Sequence, residues 1–393
     1  MSMARKPTAV IETRDGFCPV DPMIAGIALF LLLYGFVMVG SASLEIGAKT
    51  YGDALHLIVR HTIYLVISAG AAVVAVSLPI AFWQKNDAAL LFVSLALLAA
   101  VLIPGIGKEV NGSTRWIAIG PFSLQGSEFV KLFVLVYMAG YLVRRKEEIE
   151  TSISGFAKPM LVLTAIVLLL LEQPDFGAAI VIISAAISVV FLAGVPYRFF
   201  MPLVAFCVSA VALIATLQPY RLARLTAFAD PWQDQFGSGY QLTQALIAFG
   251  RGEWVGLGLG NSIQKLFFLP EAHTDFLFSI IAEELGVLGA GVVIVLFAVL
   301  VIRGLAIGRE ARLKELDFHA YLAYGIALVI GIQAGVNLGV NLGILPTKGL
   351  TLPFMSYGGN SLIVSCMMIA ILLRIEFETR HHQVGKRGKQ ANG

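Results

Sequence analysis

Charge is scarce in this chain. Only 13% of its 393 residues are Asp, Glu, Lys or Arg, about half the share of an average soluble domain. That deficit excludes a soluble enzyme, a disordered chain and a nucleic-acid binder. Cysteine is scarcer: Cys18 lies in the polar N-terminal tail, Cys207 and Cys366 in apolar runs. No two share a loop, so no structural disulfide is expected. Metal-ligand spacing is absent, and His381-His382 sits in the C-terminal tail. The run Gly256-Leu257-Gly258-Leu259-Gly260 follows no parallel strand and has no GK[ST] ending, which argues against a nucleotide site. There is no fixed-period repeat, soluble domain or Pro-rich linker. What is present is apolar: 58% of the residues are hydrophobic and mean hydropathy is +0.83, the composition of a membrane-embedded chain.

Apolar runs with few charges are read as spans. They are Pro22–Val39, His56–Leu78, Ala88–Ile103, Glu128–Val143, Pro159–Leu171, Phe176–Ala193, Phe199–Leu217, Phe276–Ile302, Tyr321–Leu345 and Leu362–Leu373. The fold class expected is an all-α integral membrane protein of ten transmembrane helices. Residues 1–21 form an N-terminal tail, 22–373 the membrane domain and 374–393 a basic tail, disordered or lying on the anionic inner leaflet. An even number of spans puts both termini on one side. That side's tails and loops hold eighteen Lys and Arg against eight on the other, so both termini are expected in the cytoplasm. The Ser41-Ala42-Ser43 run resembles a signal cleavage site, but the preceding apolar run and tail are long for a signal peptide, and an uncleaved first span is expected. Between spans seven and eight, residues 218–275 form a large extracytoplasmic loop, rich in Trp, Phe, Tyr, Gly and charges. A loop of that length is usually functional, and it is expected to fold as short amphipathic helices at the membrane surface.

The unusual polar residues crowd the outer side, which suggests an anionic substrate at the outer leaflet. Asp275 ends the long loop just before an apolar helix. It is either an N-cap or a partly desolvated carboxylate whose raised pKa suits a general base, although a helix N-terminus opposes that shift. Glu283 and Glu284 follow on the order of 12 Å deeper, where a carboxylate needs a cavity or a buried cation. Gly331, Gly335, Gly339 and Gly343 form a small-residue stripe for close packing. Gln333, Asn337 and Asn341 form an amide stripe that lines a polar groove or bonds to neighbouring helices. Lys131, three residues after Glu128, is a functional residue or half of a buried ion pair.

Several segments together resemble the SEDS family (shape, elongation, division and sporulation), in particular its cell-division branch. They are Asn111–Ile117, Gln173-Pro174-Asp175, Asp230-Pro231-Trp232, Phe236–Gln241, Gly258–Ser262, Leu269–Asp275 with Glu283–Gly286, and Leu345–Pro353 followed by Ser356-Tyr357-Gly358-Gly359. They run in family order over nearly all of the apolar chain. One departure is Gly126, where the family usually has Pro before the Ser-Glu of its fourth span.

The resemblance implies a bacterial inner-membrane glycosyltransferase that polymerises lipid II into septal glycan at the outer face. The donor is an undecaprenyl-pyrophosphate-linked glycan, and the acceptor is the GlcNAc 4-hydroxyl of another lipid II. It implies Asp275 as general base or as ligand of a divalent cation (Mg or Mn), with no nucleotide cofactor. Glu271 and His273, in the same motif, are expected to contact substrate, and Arg115, Lys131, Arg251 and Lys348 are candidate cations for the pyrophosphate. The reaction is expected to invert C1. The implied partners are a class B penicillin-binding transpeptidase (FtsI-like), FtsQ, FtsL, FtsB and membrane lipids, with no nucleic acid. The competing readings are a lipid II flippase, an elongation polymerase and a scaffold that recruits the transpeptidase.

Overall fold

A computed structural model describes residues 21–110, 112–120, 122–205, 209, 228–347 and 349–390. Cys18, Cys207 and Lys348 lie outside the described residues. Helix α1 (Pro22–Tyr51) starts where the Asp21 carboxylate accepts the Met23 and Ile24 amides, with Pro22 at the first helical position. Both devices suit a helix start, where backbone N–H groups have no partner within the helix. The helix continues well past Val39, through Ser41-Ala42-Ser43, and stops at left-handed Gly52. There follow α2 (His56–Ser77), the short α3 (Ile80–Lys85) and α4 (Asp87–Val101).

A three-stranded antiparallel sheet comes next: β1 (Gly107–Val110), β2 (Ser113–Ile119) and β3 (Phe122–Gln125). Lys108 pairs with Trp116, and Trp116 with Gln125. Gly112 and Gly120 take positive φ in the two turns, +73° and +58°. The expectation of an all-α fold is corrected here. Asn111-Gly112, a strong hairpin dipeptide, followed by Thr, Trp and Ile residues that suit a strand, carried the signal.

Beyond the sheet lie α5 (Gly126–Arg144), α6 (Lys146–Thr151), α7 (Ile153–Glu172), α8 (Phe176–Leu192), α9 (Tyr240–Gly252), α10 (Leu277–Leu313), α11 (Asp317–Asn341) and α12 (Gly359–Gln390). Among the described residues α1, α2, α5, α7, α10 and α11 are long and apolar enough to cross a membrane, and α4 and α8 are shorter apolar helices. The Pro159–Leu171 span is the latter part of α7, which begins earlier at Ile153, where the Ser152 hydroxyl accepts the Ser154 amide.

Helices α5 and α11 form the centre. Burial covers 78% of the apolar window of α5 and 67% of that of α11, against 17% for α2. Gly325 permits their close approach, since a Cβ there would lie 2.9 Å from the Leu135 side chain. Helix α11 also packs on α8 and α10, α12 on α2, and α1 on both α2 and α10. The outer faces display large apolar side chains such as Leu33, Val66, Phe92, Leu161 and Val295. Lipid tails are their natural surroundings, because helices keep their own backbone groups bonded.

The C-terminal segment differs from its expectation as a disordered or surface-lying tail. Helix α12 continues past Leu373 to Gln390, and between Arg374 and Arg380 its polar residues are held in the fold. The Glu378 carboxylate accepts the Ile80 amide and contacts Arg374 at 2.7 Å and His319 at 3.0 Å. The Lys314 ammonium donates to the Thr379 carbonyl. Paired charges at this end let the helix run on where the hydropathy falls.

Candidate active site

Helix α10 is broken near its start. Gly286 has φ +65° and ψ −167°, a conformation essentially confined to glycine. The carbonyls of Glu283 and Glu284, freed by the break, accept the Leu257 and Gly258 amides. On the other side, the Val287 and Leu288 amides donate to the carbonyls of Glu253 and Trp254. The glycine-rich run 256–260 is therefore a backbone cover for a helix break. A Cβ at Gly256 would fall 2.2 Å from the Glu284 carbonyl oxygen, so no larger residue fits.

The two carboxylates beside the break hold the same segment by their side chains. Glu283 accepts the Ser262 hydroxyl and the Ile263 and Gln264 amides, with Arg251 at 3.6 Å. Glu284 pairs with Lys265 at 2.8 Å and accepts the Ser41 hydroxyl of α1 at 2.7 Å. Both are fully buried. The buried cation that their depth required is Lys265. Lys265 and Ser41 carry no sequence signal of this role, and Ser262 only its place in the Gly258–Ser262 segment.

This framework presents the segment Leu269–Phe276. Asp275 is half-buried, and its side chain does not cap α10: the capping residue is Phe276, with no side-chain cap bond. The Asp275 backbone is fixed instead. Its carbonyl oxygen accepts the side-chain amides of Asn337 at 2.8 Å and Asn341 at 3.0 Å. Asn341 also accepts the Ser279 amide and hydroxyl. Asn337 donates to the Leu350 carbonyl at 2.6 Å, and Gln333 to the Thr351 carbonyl at 3.0 Å. The amide stripe thus ties the chain on either side of the site to α11. Below it, the Lys131 ammonium pairs with Glu128 at 2.7 Å and donates to Gln333 at 2.6 Å, enclosed by protein. The glycine stripe does not form one packing surface: Gly331 meets Val301, Gly339 meets Leu345, Gly335 faces open space and Gly343 lies beyond the helix.

The Asp275 carboxyl is pushed up to about 7 from 3.8, by burial first and then by the Glu271 carboxylate, with the Arg115 guanidinium partly offsetting both. Gly349 lies against it, since a Cβ there would stand 3.2 Å from Oδ2. Glu271 sits at φ +56°, and its carbonyl accepts the Thr274 and Phe276 amides in a tight turn. The His273 carbonyl accepts the Tyr357 amide at 2.9 Å, and its imidazole is depressed below its usual range by burial. Arg115, on β2, donates to the carbonyls of Pro174 at 2.5 Å and Gln173 at 3.3 Å. Asp175 caps α8 at the Ala178 amide and accepts the Ser127 hydroxyl of α5. The charges of Glu271 and Arg115 thus both bear on Asp275, while the His273 ring stands 5.4 Å from that of Tyr357. Arg251 stands at the helix break, and Lys131 is held within the core. No group of three His, Cys, Asp or Glu side chains able to hold a metal occurs among the described residues.

Known proteins resemble this chain in sequence and in fold. A probable peptidoglycan glycosyltransferase FtsW of Hahella chejuensis is 56% identical over 91% of this chain and 90% of its own. That of Pseudomonas fluorescens is 54% identical over 92% and 88%. A solved chain from a peptidoglycan synthase complex, described as coordinating polymerization and crosslinking, superposes with TM-score 0.74 at 28% identity. It is matched over 99% of its length and 92% of this one. The rod shape determining protein RodA of Thermus thermophilus superposes with TM-score 0.67 at 28% identity, over 92% of this chain and 98% of its own. The model of the FtsW, RodA and SpoVE family of cell cycle proteins matches residues 22–381, and the chain belongs to that family.

Proposed function

We propose that this chain is a peptidoglycan glycosyltransferase that polymerises lipid II into septal glycan at the outer face of the bacterial inner membrane. Ten spans with both termini in the cytoplasm are part of the proposal, as is enrichment at the division septum. The observation that carries it is Asp275: a carboxyl with no hydrogen bond or ion pair among the described residues, anchored through its backbone and pushed up to about 7. A sugar hydroxyl is a weak nucleophile at neutral pH, and the best base for it titrates near the working pH.

In the reaction, Asp275 takes the proton of the GlcNAc 4-hydroxyl as that oxygen attacks C1 of the donor MurNAc. The C1–O bond to undecaprenyl pyrophosphate breaks, and its electron pair leaves with the pyrophosphate. A single displacement inverts C1. Arg115 is the cation whose charge bears on the reacting carboxyl, and Arg251 and Lys348 are further candidates for the leaving group. Glu271 and His273 shape the site and are proposed to contact substrate. Lys131, already bonded to Glu128 and Gln333, acts through the amide stripe that holds Asp275.

A divalent cation fits this site in one manner. Asp275 and Glu271 offer two carboxylates, with no third ligand beside them among the described residues, so Mg²⁺ or Mn²⁺ would draw its remaining ligands from water and phosphate. When bound, it would neutralise charge building on the leaving pyrophosphate. The proposed partners are a class B penicillin-binding transpeptidase and the FtsQ, FtsL and FtsB proteins.

The test is incubation of the purified full chain, with its transpeptidase, with lipid II, followed by gel analysis of glycan. Polymer is expected. No polymer, with a control polymerase active in the same assay and lipid II moved across vesicles, would establish the flippase reading instead.

A further inference from the structure

At the end of the molecule opposite Asp275, α8, Phe200, α10 and α11 line an open groove of about 560 Å³. That lies within the roughly 300–1,000 Å³ typical of ligand sites. Arg309 stands on α10 roughly 48 Å of helix from its start at 1.5 Å per residue. The groove therefore opens in the other leaflet. Its walls are apolar: Phe191, Phe200, Leu305 and Leu328. The Tyr324 ring forms part of one wall, and Gly308 permits it, because a Cβ there would lie 2.5 Å from the ring.

The charge at the mouth is uncommitted. Arg303 pairs with Asp21 at 2.8 Å, and Arg312 donates to the Tyr321 hydroxyl at 2.7 Å and pairs with Asp317. Arg309, between them and exposed, makes no ion pair or hydrogen bond with any described residue. Nearby on the rim, exposed Arg198 lies over the Phe199 ring at 4.8 Å. The Phe191 ring sits 5.0 Å from Phe200 and 6.0 Å from Tyr197. Aromatic rings beside arginines mark a membrane–water interface, and a basic pocket between helices there suits a phosphate headgroup.

We propose that this groove binds one anionic phospholipid of the leaflet opposite Asp275, with its phosphate at Arg309 and one acyl chain against Phe191, Phe200, Leu305 and Leu328. The apolar walls call for a tail, which free phosphate lacks. The unpaired arginine at the mouth favours an anionic over a zwitterionic headgroup.

Native mass spectrometry of the full chain in detergent tests this, with phosphatidylglycerol and phosphatidylethanolamine added in equal amounts. Wild type should retain phosphatidylglycerol about fivefold better, the effect of one basic residue near an anionic surface. Arg309→Gln should bring the two lipids to parity, and Leu328→Trp, which fills the groove, should lower retention of both. Thermal unfolding verifies that each variant is folded. Equal retention of the two lipids by wild type would overturn the proposal. So would a preference that survives Arg309→Gln in folded protein, or release of both lipids by inorganic phosphate alone.

Discussion

The side-chain amide of Asn341 donates to the backbone carbonyl of Asp275 at 3.0 Å. A residue near the end of one membrane helix thus fixes the residue just before another. Asn337, one turn away, makes the same bond at 2.8 Å. Replacing either by Leu should leave the chain folded and lower glycan synthesis by roughly tenfold to a hundredfold, the penalty for displacing a catalytic group by about 1 Å. The loss should fall on kcat rather than KM. Loss of folded protein at the same expression level, seen by size-exclusion chromatography, would assign the amides to stability alone.

Activity should depend on pH through Asp275. A general base works deprotonated, so kcat/KM should rise through about pH 7 and level off above it, with roughly a tenfold deficit one unit below. Glu271 raises this pKa and Arg115 lowers it. Glu271→Gln should therefore move the acidic limb to lower pH, and Arg115→Gln should move it higher. A pH–rate profile that neither substitution shifts would contradict the assigned electrostatics.

The same shift has a cost in stability. The carboxyl titrates near 3.8 when unfolded and about 7 when folded. Between those values the folded state binds more protons, so stability falls as pH rises through this window, and the loss is complete above pH 7. Asp275→Asn should melt higher than wild type at pH 8 and close to it at pH 4. Equal melting temperatures at both pH values would show that burial does not strain the charged form.

The buried Lys131–Glu128 pair should respond asymmetrically. Lys131→Met leaves Glu128 charged and enclosed and should cost about 3–5 kcal/mol, whereas the double variant Glu128→Gln with Lys131→Met should recover part of that. Thermal unfolding in detergent measures both. A double variant as unstable as the sum of the singles would mean the two residues do not act as a pair.

Gly286→Ala should destabilise α10. It forces a non-glycine residue to φ +65°, ψ −167°, costing about 1–3 kcal/mol in backbone strain alone. Its Cβ would also fall 2.5 Å from the Gly256 nitrogen. Proteolysis of the 253–260 segment should accelerate.

Much of this was legible in the sequence because the membrane restricts the choices. Apolar runs had to be helices, and Asp275, Glu283 and Glu284 stood out as carboxylates beside or inside one. The depth of Glu283 and Glu284 demanded partners, and Lys265 and Arg251 supply them. The identity of Lys265 was hidden because it approaches from a loop, nineteen residues away from Glu284 in sequence. The sheet at Gly107–Gln125 is hidden between two apolar spans, although its Asn-Gly dipeptide marks a hairpin. The C-terminal helix escaped because hydropathy drops at Arg374, although Ile375 and Phe377 stay buried and ion pairs such as Arg374–Glu378 accommodate the charges between them. That the amide stripe grips the backbone of Asp275 required the relative rotation of α10 and α11, which periodicity alone does not contain.

The central claim is that Asp275 removes the acceptor proton. The most direct measurement compares lipid II polymerisation by wild type, Asp275→Ala and Asp275→Asn, at equal folded amounts and with the transpeptidase present. The account predicts glycan from wild type and none from either variant, with both still binding lipid II. Glycan from Asp275→Asn at a rate near wild type would contradict it and place the base elsewhere.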